Sequence, residues 1–173
     1  MENLYTQDCI RTFTGKYINV FEPDPELIDI EDIAHALSHQ CRFGGHLRHF
    51  YSVAQHSIVC CRQAQEGHQL AALLHDASEA YLLDIPSPIK KRLPDYQAIE
   101  ARLQEAIEAK FGFTVENHVK MIDALVLVHE YEALVLRNPD YEHKLLTRDI
   151  RGLILTPEEA KEDFLIHFNE YYR

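Results

Sequence analysis

The chain is predicted to be an all-α protein. Its apolar residues recur with helical spacing, its polar residues form helix caps, and strand-like alternation is scarce. At 173 residues it is long enough for one substantial core. Hydrophobic residues make up 46% and charged residues 26%, which is typical of globular rather than disordered chains. We therefore expect a single compact helical domain over residues 1–173.

Cap residues place the helices along the chain. Asp29 predicts the start of the first helix, and Ser52 with Gln55 forms a capping box that opens a helix running to about Arg62. A third helix is predicted over roughly residues 68–81, because Pro86 ends the segment that follows it. Later helices are expected from 95 to 111 with Gly112 as C-terminal cap, from about 116 to 136, and from Thr156 onward. The first 25 residues are expected to hold a short β-like arm.

Charge and cysteine content exclude several classes of protein. A formal net charge of −11 argues against a large surface for polymeric nucleic acid. No apolar run approaches the roughly 20 residues of a membrane span, and the N-terminus lacks the order of a signal peptide. We expect a cytoplasmic protein without membrane partners. Without a CxxC motif, the four cysteines are interpreted as reduced, mostly buried small hydrophobes: Cys9, Cys41, Cys60 and Cys61.

Acidic residues and a histidine interrupt an apolar stretch, "LLHDASEAYLLDIP", between Leu73 and Pro86. On a continuous helix, Glu79 would lie one turn beyond both His75 and Asp76. Burying such groups is costly unless they are paired or bound to metal. The stretch is therefore either a solvated helix face with internal ion pairs or part of a metal site.

Two further residues are candidate ligands from other helices. His56 shares a helical stripe with Cys60, and Asp123 is a lone acid within the apolar run "KMIDALVLV". The alternatives are a hydrogen-bonded core histidine and a surface acid. With His75 and Asp76 they would form a His₂Asp₂ set, which suits one divalent ion (Mn²⁺, Co²⁺, Fe²⁺, Mg²⁺ or Zn²⁺) rather than a thiolate site.

These residues also resemble a known family. The order His56, then His75–Asp76, then Asp123 is similar to the metal signature of the HD-domain phosphohydrolase superfamily. "DIAHALSHQCRFGGH", "FYSVAQHS" and "LLHDASEAYLLDIPSPIK" resemble its small bacterial and phage branch, which includes 5′-deoxyribonucleotidases and phage dATP triphosphohydrolases. The resemblance covers roughly residues 12–136. It implies a compact HD-domain helical bundle, these four residues as metal ligands, and a homo-oligomer.

The same resemblance implies roles for residues around the metal. Glu79 would orient or deprotonate the attacking water, and Asp84 would support the leaving oxygen or the sugar. Arg42 matches the phosphate-contacting arginine of the family, and His46, His49 and Lys90 are further candidates for substrate binding. Two expectations come from the residues themselves. Glu130, seven residues after Asp123 on the same helical face, is expected to anchor an arginine rather than to bind metal, and Tyr17 is either part of a base pocket or part of a β-arm that packs on the core.

The resemblance therefore implies a metal-dependent phosphohydrolase acting at the α-phosphorus of a deoxynucleotide. The several basic candidates slightly favour a dATP-like triphosphate, which would give nucleoside and tripolyphosphate. A deoxynucleoside monophosphate, giving nucleoside and phosphate, is the alternative. A non-catalytic nucleotide-binding regulator is a third interpretation, from a different functional class.

Overall fold

A short β-hairpin precedes the helices in the described part of the chain. The structure, a computed structural model, describes residues 8–138 and 154–172. Strand β1 (Cys9–Arg11) pairs antiparallel with β2 (Tyr17–Asn19), with Ile10 opposite Ile18. Ile18 is fully buried, so the hairpin is fixed to the helical core. The predicted β-like arm is confirmed.

Helices make up most of the described residues, which confirms the all-α prediction. Their bounds are α1 Ile30–His39, α2 Val53–Gln63, α3 Gln69–Leu73, α4 Glu79–Leu82, α5 Ser87–Lys90, α6 Pro94–Phe111, α7 Asn117–Glu130 and α8 Pro157–Tyr171. A π-helical segment, Tyr131–Val135, continues α7. Every helix in residues 8–138 and 154–172 is too short or too polar to span a bilayer. The predicted domain limits, residues 1 and 173, lie outside the described residues.

The predicted caps are confirmed. The Asp29 carboxylate accepts a hydrogen bond from the Glu31 amide at the start of α1. Ser52 and Gln55 make both reciprocal bonds of the capping box on α2, as do Thr156 and Glu159 on α8. Gly112 ends α6 at φ 67°, in the left-handed region that glycine adopts without steric cost. These helix ends follow from interactions between residues that are close in sequence.

The single helix predicted over residues 68–81 is wrong. The segment is two short helices, α3 and α4, separated by a turn over residues 74–78. The side chain of Gln104, on α6, donates to the Leu74 carbonyl at 2.9 Å and accepts from the Ser78 amide at 3.1 Å. It therefore satisfies backbone groups that a continuous helix would have paired internally. Gln40 bridges the two ends of α4, donating to the Glu79 carbonyl, which also accepts from the Leu83 amide, and accepting from the Asp84 amide.

Helix α2 lies at the centre of the packing, against α1, α3, α7 and α8. One of its faces joins an apolar core that includes Leu37 on α1 and Phe164 on α8, both fully buried. The other face joins a smaller apolar cluster with Ala72 of α3 and Val119 of α7. The polar side chains described below lie where α2, the turn after α3 and α7 meet.

Candidate metal centre

Three elements bring the predicted metal ligands together. His56 comes from the middle of α2, His75 and Asp76 from the turn after α3, and Asp123 from α7. The Nε2 atom of His56 lies 3.3 Å from Nε2 of His75 and 3.1 Å from Oδ1 of Asp123. Asp76 Oδ2 lies 3.2 Å from His75 Nε2 and 3.7 Å from His56 Nε2. All four side chains therefore converge on one point.

Hydrogen bonds fix the tautomer of both histidines. His56 Nδ1 lies 2.8 Å from Oε1 of Glu130, and His75 Nδ1 lies 2.8 Å from the Ala72 carbonyl. A carboxylate and a carbonyl can only accept, so each Nδ1 carries a hydrogen and donates it. In the neutral imidazoles, both Nε2 atoms then present lone pairs to each other. Such facing acceptors require a cation between them, either a proton or a metal ion.

The electrostatics of the centre also favour added positive charge. Burial and Arg42 disfavour the imidazolium of His56, yet neighbouring acids including Glu130 and Asp123 outweigh them and raise its pKa well above the usual value. Burial likewise opposes the charge of His75, but the Asp76 and Asp123 carboxylates raise the pKa of that histidine. Burial alone would raise the pKa of Asp123, whereas its bonds to the two histidines lower it. A divalent ion would supply this charge without protonating the ligands.

A cysteine joins the same cluster. The Sγ atom of Cys60, one turn after His56 on α2, lies 3.6 Å from His56 Nε2. One donor atom each from His56, Cys60, His75 and Asp123 lie within 4.8 Å of one another. Two nitrogen or oxygen ligands held at about 2.1 Å around a tetrahedral ion stand roughly 3.4 Å apart, close to the separations observed here. This buried group could therefore hold a metal ion.

The sequence pattern treated Cys60 as a small hydrophobe and so missed it. The available signal was its position four residues after His56, on the same face of α2. By contrast, Glu79 does not share one continuous helix with His75 and Asp76, because those two residues lie in the turn over 74–78 and Glu79 is the first residue of α4.

Glu130 connects the centre to its surroundings. Besides binding His56, its carboxylate accepts a hydrogen bond from the Tyr51 hydroxyl at 2.7 Å and one from Arg42 Nε at 3.2 Å. Arg42 also approaches Asp76, with Nη1 3.9 Å from Oδ2. Burial alone would raise the pKa of Glu130, but the charges of His56 and Arg42 lower it. Glu130 anchors an arginine, as the sequence predicted, and it also orients a candidate metal ligand, which the sequence did not indicate.

Glu79 is almost fully buried at the start of α4, with 4% of its surface exposed. Its Oε1 atom lies 3.4 Å from Lys90 Nζ, and no described residue makes a hydrogen bond with its Oε2. Burial, together with the charges of Asp76 and Asp84, raises the pKa of Glu79 well above its usual value. A buried carboxyl with an unpaired oxygen and a raised pKa is suited to exchange protons with a bound water.

The other predicted contact residues occupy different positions. Lys90 lines a cavity of about 340 Å³ that reaches His75 and Asp76, and its ammonium group pairs with Glu100 as well as Glu79. Asp84 is half-buried, and burial raises its pKa. Like Asp84, the remaining three candidates do not line that cavity: His46 lies exposed in the glycine turn, His49 lines a second cavity of about 200 Å³ with Arg48 and Arg137, and Tyr17 lies in β2.

Comparison with known proteins gives relatives without an assigned activity. The chain is 38% identical over 167 residues to the uncharacterized protein YfdR of Escherichia coli K12, covering 93% of this chain and 94% of that protein. It is 37% identical over 112 residues to the uncharacterized protein RCAP_rcc00048 of Rhodobacter capsulatus, covering 59% of this chain and 57% of that protein. No protein-family model matches the chain.

Proposed function

The chain belongs to the same family as YfdR, and we propose that it is a metal-dependent phosphohydrolase acting on nucleotide phosphate esters. The observation that carries this proposal is the pair of facing histidine Nε2 atoms, 3.3 Å apart and flanked by Asp76 and Asp123. The resemblance of the same residues to the HD-domain signature supports it.

Each part of the site has a chemical role in this proposal. His56, His75 and Asp123, with Asp76 or Cys60, would hold one divalent ion. When bound, such an ion polarises a phosphoryl oxygen and lowers the pKa of water. Oε2 of Glu79 accepts the proton of the attacking water, while Lys90 holds the other carboxylate oxygen. Asp84, whose pKa is also raised by burial, supports the leaving oxygen or the sugar.

The charges around the cavity favour a monophosphate substrate over a triphosphate. Arg42 is buried and engaged by Glu130 and Asp76, and Lys90 is paired with two glutamates. Their positive charge is therefore largely balanced before substrate binds. Three acids of α6, namely Glu100, Glu105 and Glu108, also line the cavity that reaches His75 and Asp76, and they outnumber the one further cation among the described residues of its wall, Lys120. Because each further phosphate adds negative charge, we place the deoxynucleoside monophosphate ahead of the triphosphate that the basic residues of the sequence favoured.

A panel of deoxynucleoside mono- and triphosphates, each with Mn²⁺, Co²⁺ and Mg²⁺, tests this proposal. Release of inorganic phosphate from a monophosphate is the expected result. Release of tripolyphosphate would assign the triphosphate reaction instead. Tight nucleotide binding without turnover under any metal would contradict the proposed enzymatic activity and would indicate a nucleotide-binding regulator.

The variant Asp76→Ala tests whether the metal centre carries the activity. With Mn²⁺ supplied, it should lose metal and turnover together, because it removes the carboxylate that such an ion prefers from the point where the histidines converge. Glu66→Gln, at an exposed acid between α2 and α3, is the control and should keep both. Retention of turnover in Asp76→Ala, with metal content measured on the same sample, would contradict the proposed site. Cytoplasmic location and a homo-oligomer remain predictions.

A further inference from the structure

Adjacent cysteines on α2 lie in different environments. Cys60 and Cys61 are both buried, with 0% and 1% of their surfaces exposed. Cys61 packs in the apolar core with Ile58 and Phe164. Cys60 points toward α3 and α7, where its sulfur lies 3.6 Å from His56 Nε2. The two thiols are therefore equally buried, but Cys61 lies among apolar side chains and Cys60 lies beside the converging candidate metal ligands.

The position of Cys60 Sγ matches that of a metal ligand. A nitrogen at about 2.1 Å and a sulfur at about 2.3 Å from one tetrahedral ion are separated by roughly 3.6 Å. The observed distance from Cys60 Sγ to His56 Nε2 is 3.6 Å, and the other donors of the cluster lie within 4.8 Å. Helix geometry brings residues at i and i+4 together, but here the sulfur also lies within reach of donor atoms from His75 and Asp123, which come from other elements. A thiol hydrogen bond to His56 Nε2 is the competing explanation.

We propose that Cys60 is a ligand of the metal centre and gives it a preference for thiophilic divalent ions such as Zn²⁺ and Cd²⁺ over Mg²⁺ and Mn²⁺. Metal binding would form a metal–sulfur bond and release the thiol proton to solvent. Asp76 offers the alternative fourth ligand, a carboxylate of the kind that Mg²⁺ and Mn²⁺ prefer. Its Oδ2 atom lies near both histidine Nε2 atoms and near Arg42. The same three residues, His56, His75 and Asp123, would thus serve with either a thiolate or a carboxylate.

This inference uses the metal centre of the proposed function but does not depend on the reaction. A thiolate ligand would be detected by metal spectroscopy even if no nucleotide were hydrolysed. Conversely, hydrolysis with Mn²⁺ would support the proposed function even if Cys60 bound no metal. Either proposal can therefore be contradicted without the other.

Cobalt binding provides the first test, with Cys61→Ser as the matched control. One equivalent of Co²⁺ is added to the reduced, metal-free full chain, and absorbance is recorded in the near ultraviolet. We expect a sulfur-to-cobalt charge-transfer band in the wild type and in Cys61→Ser, and its loss in Cys60→Ser and Cys60→Ala. Circular dichroism establishes that each variant is folded. Two Cys60 variants are made so that the test can still be carried out if one of them does not fold.

Cadmium affinity provides the second test. Competition with a chromophoric chelator should show Cys60→Ser weakening Cd²⁺ binding by about tenfold or more, with Mn²⁺ binding changed by less than about threefold. Absence of the cobalt band from the wild type, or its persistence in folded Cys60 variants, would overturn the proposal in favour of a thiol hydrogen bond. Equal losses of Cd²⁺ and Mn²⁺ affinity would also overturn it.

Discussion

The two faces of α2 are equally buried but are stabilised in different ways. The face that carries Ala54, Ile58 and Cys61 packs against apolar side chains of α1 and α8. The face that carries His56 and Cys60 meets the turn after α3 and the acids of α7. Burial of hydrocarbon is favourable for any apolar partner, whereas burial of polar groups requires particular hydrogen bonds and charges.

We expect the two faces of α2 to contribute separately to stability and to function. Removing atoms from the apolar face should cost folding free energy and leave metal binding per folded molecule unchanged. Changes on the polar face should alter metal binding or turnover more than folding. The following variants test this separation.

The largest effect is expected from Glu79→Gln. Glutamine keeps the shape and the contact with Lys90 but cannot accept the proton of water, so turnover should fall by about 10²–10⁴-fold. Metal content should be unchanged, since Glu79 is not among the converging donor atoms. Phosphate release and metal content are measured on one preparation. Wild-type turnover in this variant would exclude the assigned role.

Phe164 of α8 packs in the core that the apolar face of α2 joins. Phe164→Ala should reduce the free energy of unfolding by about 3–5 kcal/mol. Phe164 is fully buried, so its removal leaves a cavity in the core. Ile166→Ala, two residues later on α8 and 56% exposed, should change stability by less than about 0.5 kcal/mol. Urea unfolding measures both variants. Comparable losses would show that α8 does not pack as described.

Glu130→Gln should lower metal affinity by about 10–100-fold. The amide provides a weaker acceptor for His56 Nδ1–H and removes the nearer of the two charged partners of Arg42, so the histidine is oriented less firmly. Metal titration is the measurement, and a rise in KM without loss of metal affinity would assign Glu130 to substrate binding instead. Tyr51→Phe removes only one hydrogen bond to the same carboxylate and should have a smaller effect.

The smallest effect is expected at the surface ion pair between Lys16 and Asp29, 2.9 Å apart. Burial alone would raise the pKa of Asp29, but the bond from Lys16 and the α1 amide lower it. Asp29→Asn keeps a helix cap but loses the charge, so it should cost about 0.2–1 kcal/mol at neutral pH.

The sign of the pH dependence follows from that lowered pKa. The stabilisation by Asp29 is fully present above the ordinary aspartate pKa of 3.8 and is lost as pH falls through the lower folded value. Unfolding of wild type and Asp29→Asn should therefore differ at pH 7 and converge in strong acid. A difference that persisted there would indicate loss of the cap rather than of the ion pair.

Residues close in sequence were enough to predict most helix ends, although not the break between α3 and α4, and to single out the four converging residues. Caps such as Ser52 with Gln55 are formed by residues three apart, so they can be read locally. Similarly, isolated acids in apolar runs, such as Asp123, indicated a buried polar site because an unpaired charge there would be unfavourable. The structure brings these residues together, while their catalytic roles remain to be tested.

Interactions between distant segments depend instead on how the helices pack. Gln104 of α6 stabilises the break after α3, and Glu130 of α7 binds both His56 and Arg42. Cys60 joins the centre because α3 and α7 lie against its side of α2. The contacts of Gln104 and Glu130 have no fixed spacing in sequence, since they depend on how helices pack across the core, whereas the four-residue spacing of His56 and Cys60 is local to α2. Local hydrogen bonds therefore placed the elements, and helix packing determined which side chains surround the candidate metal.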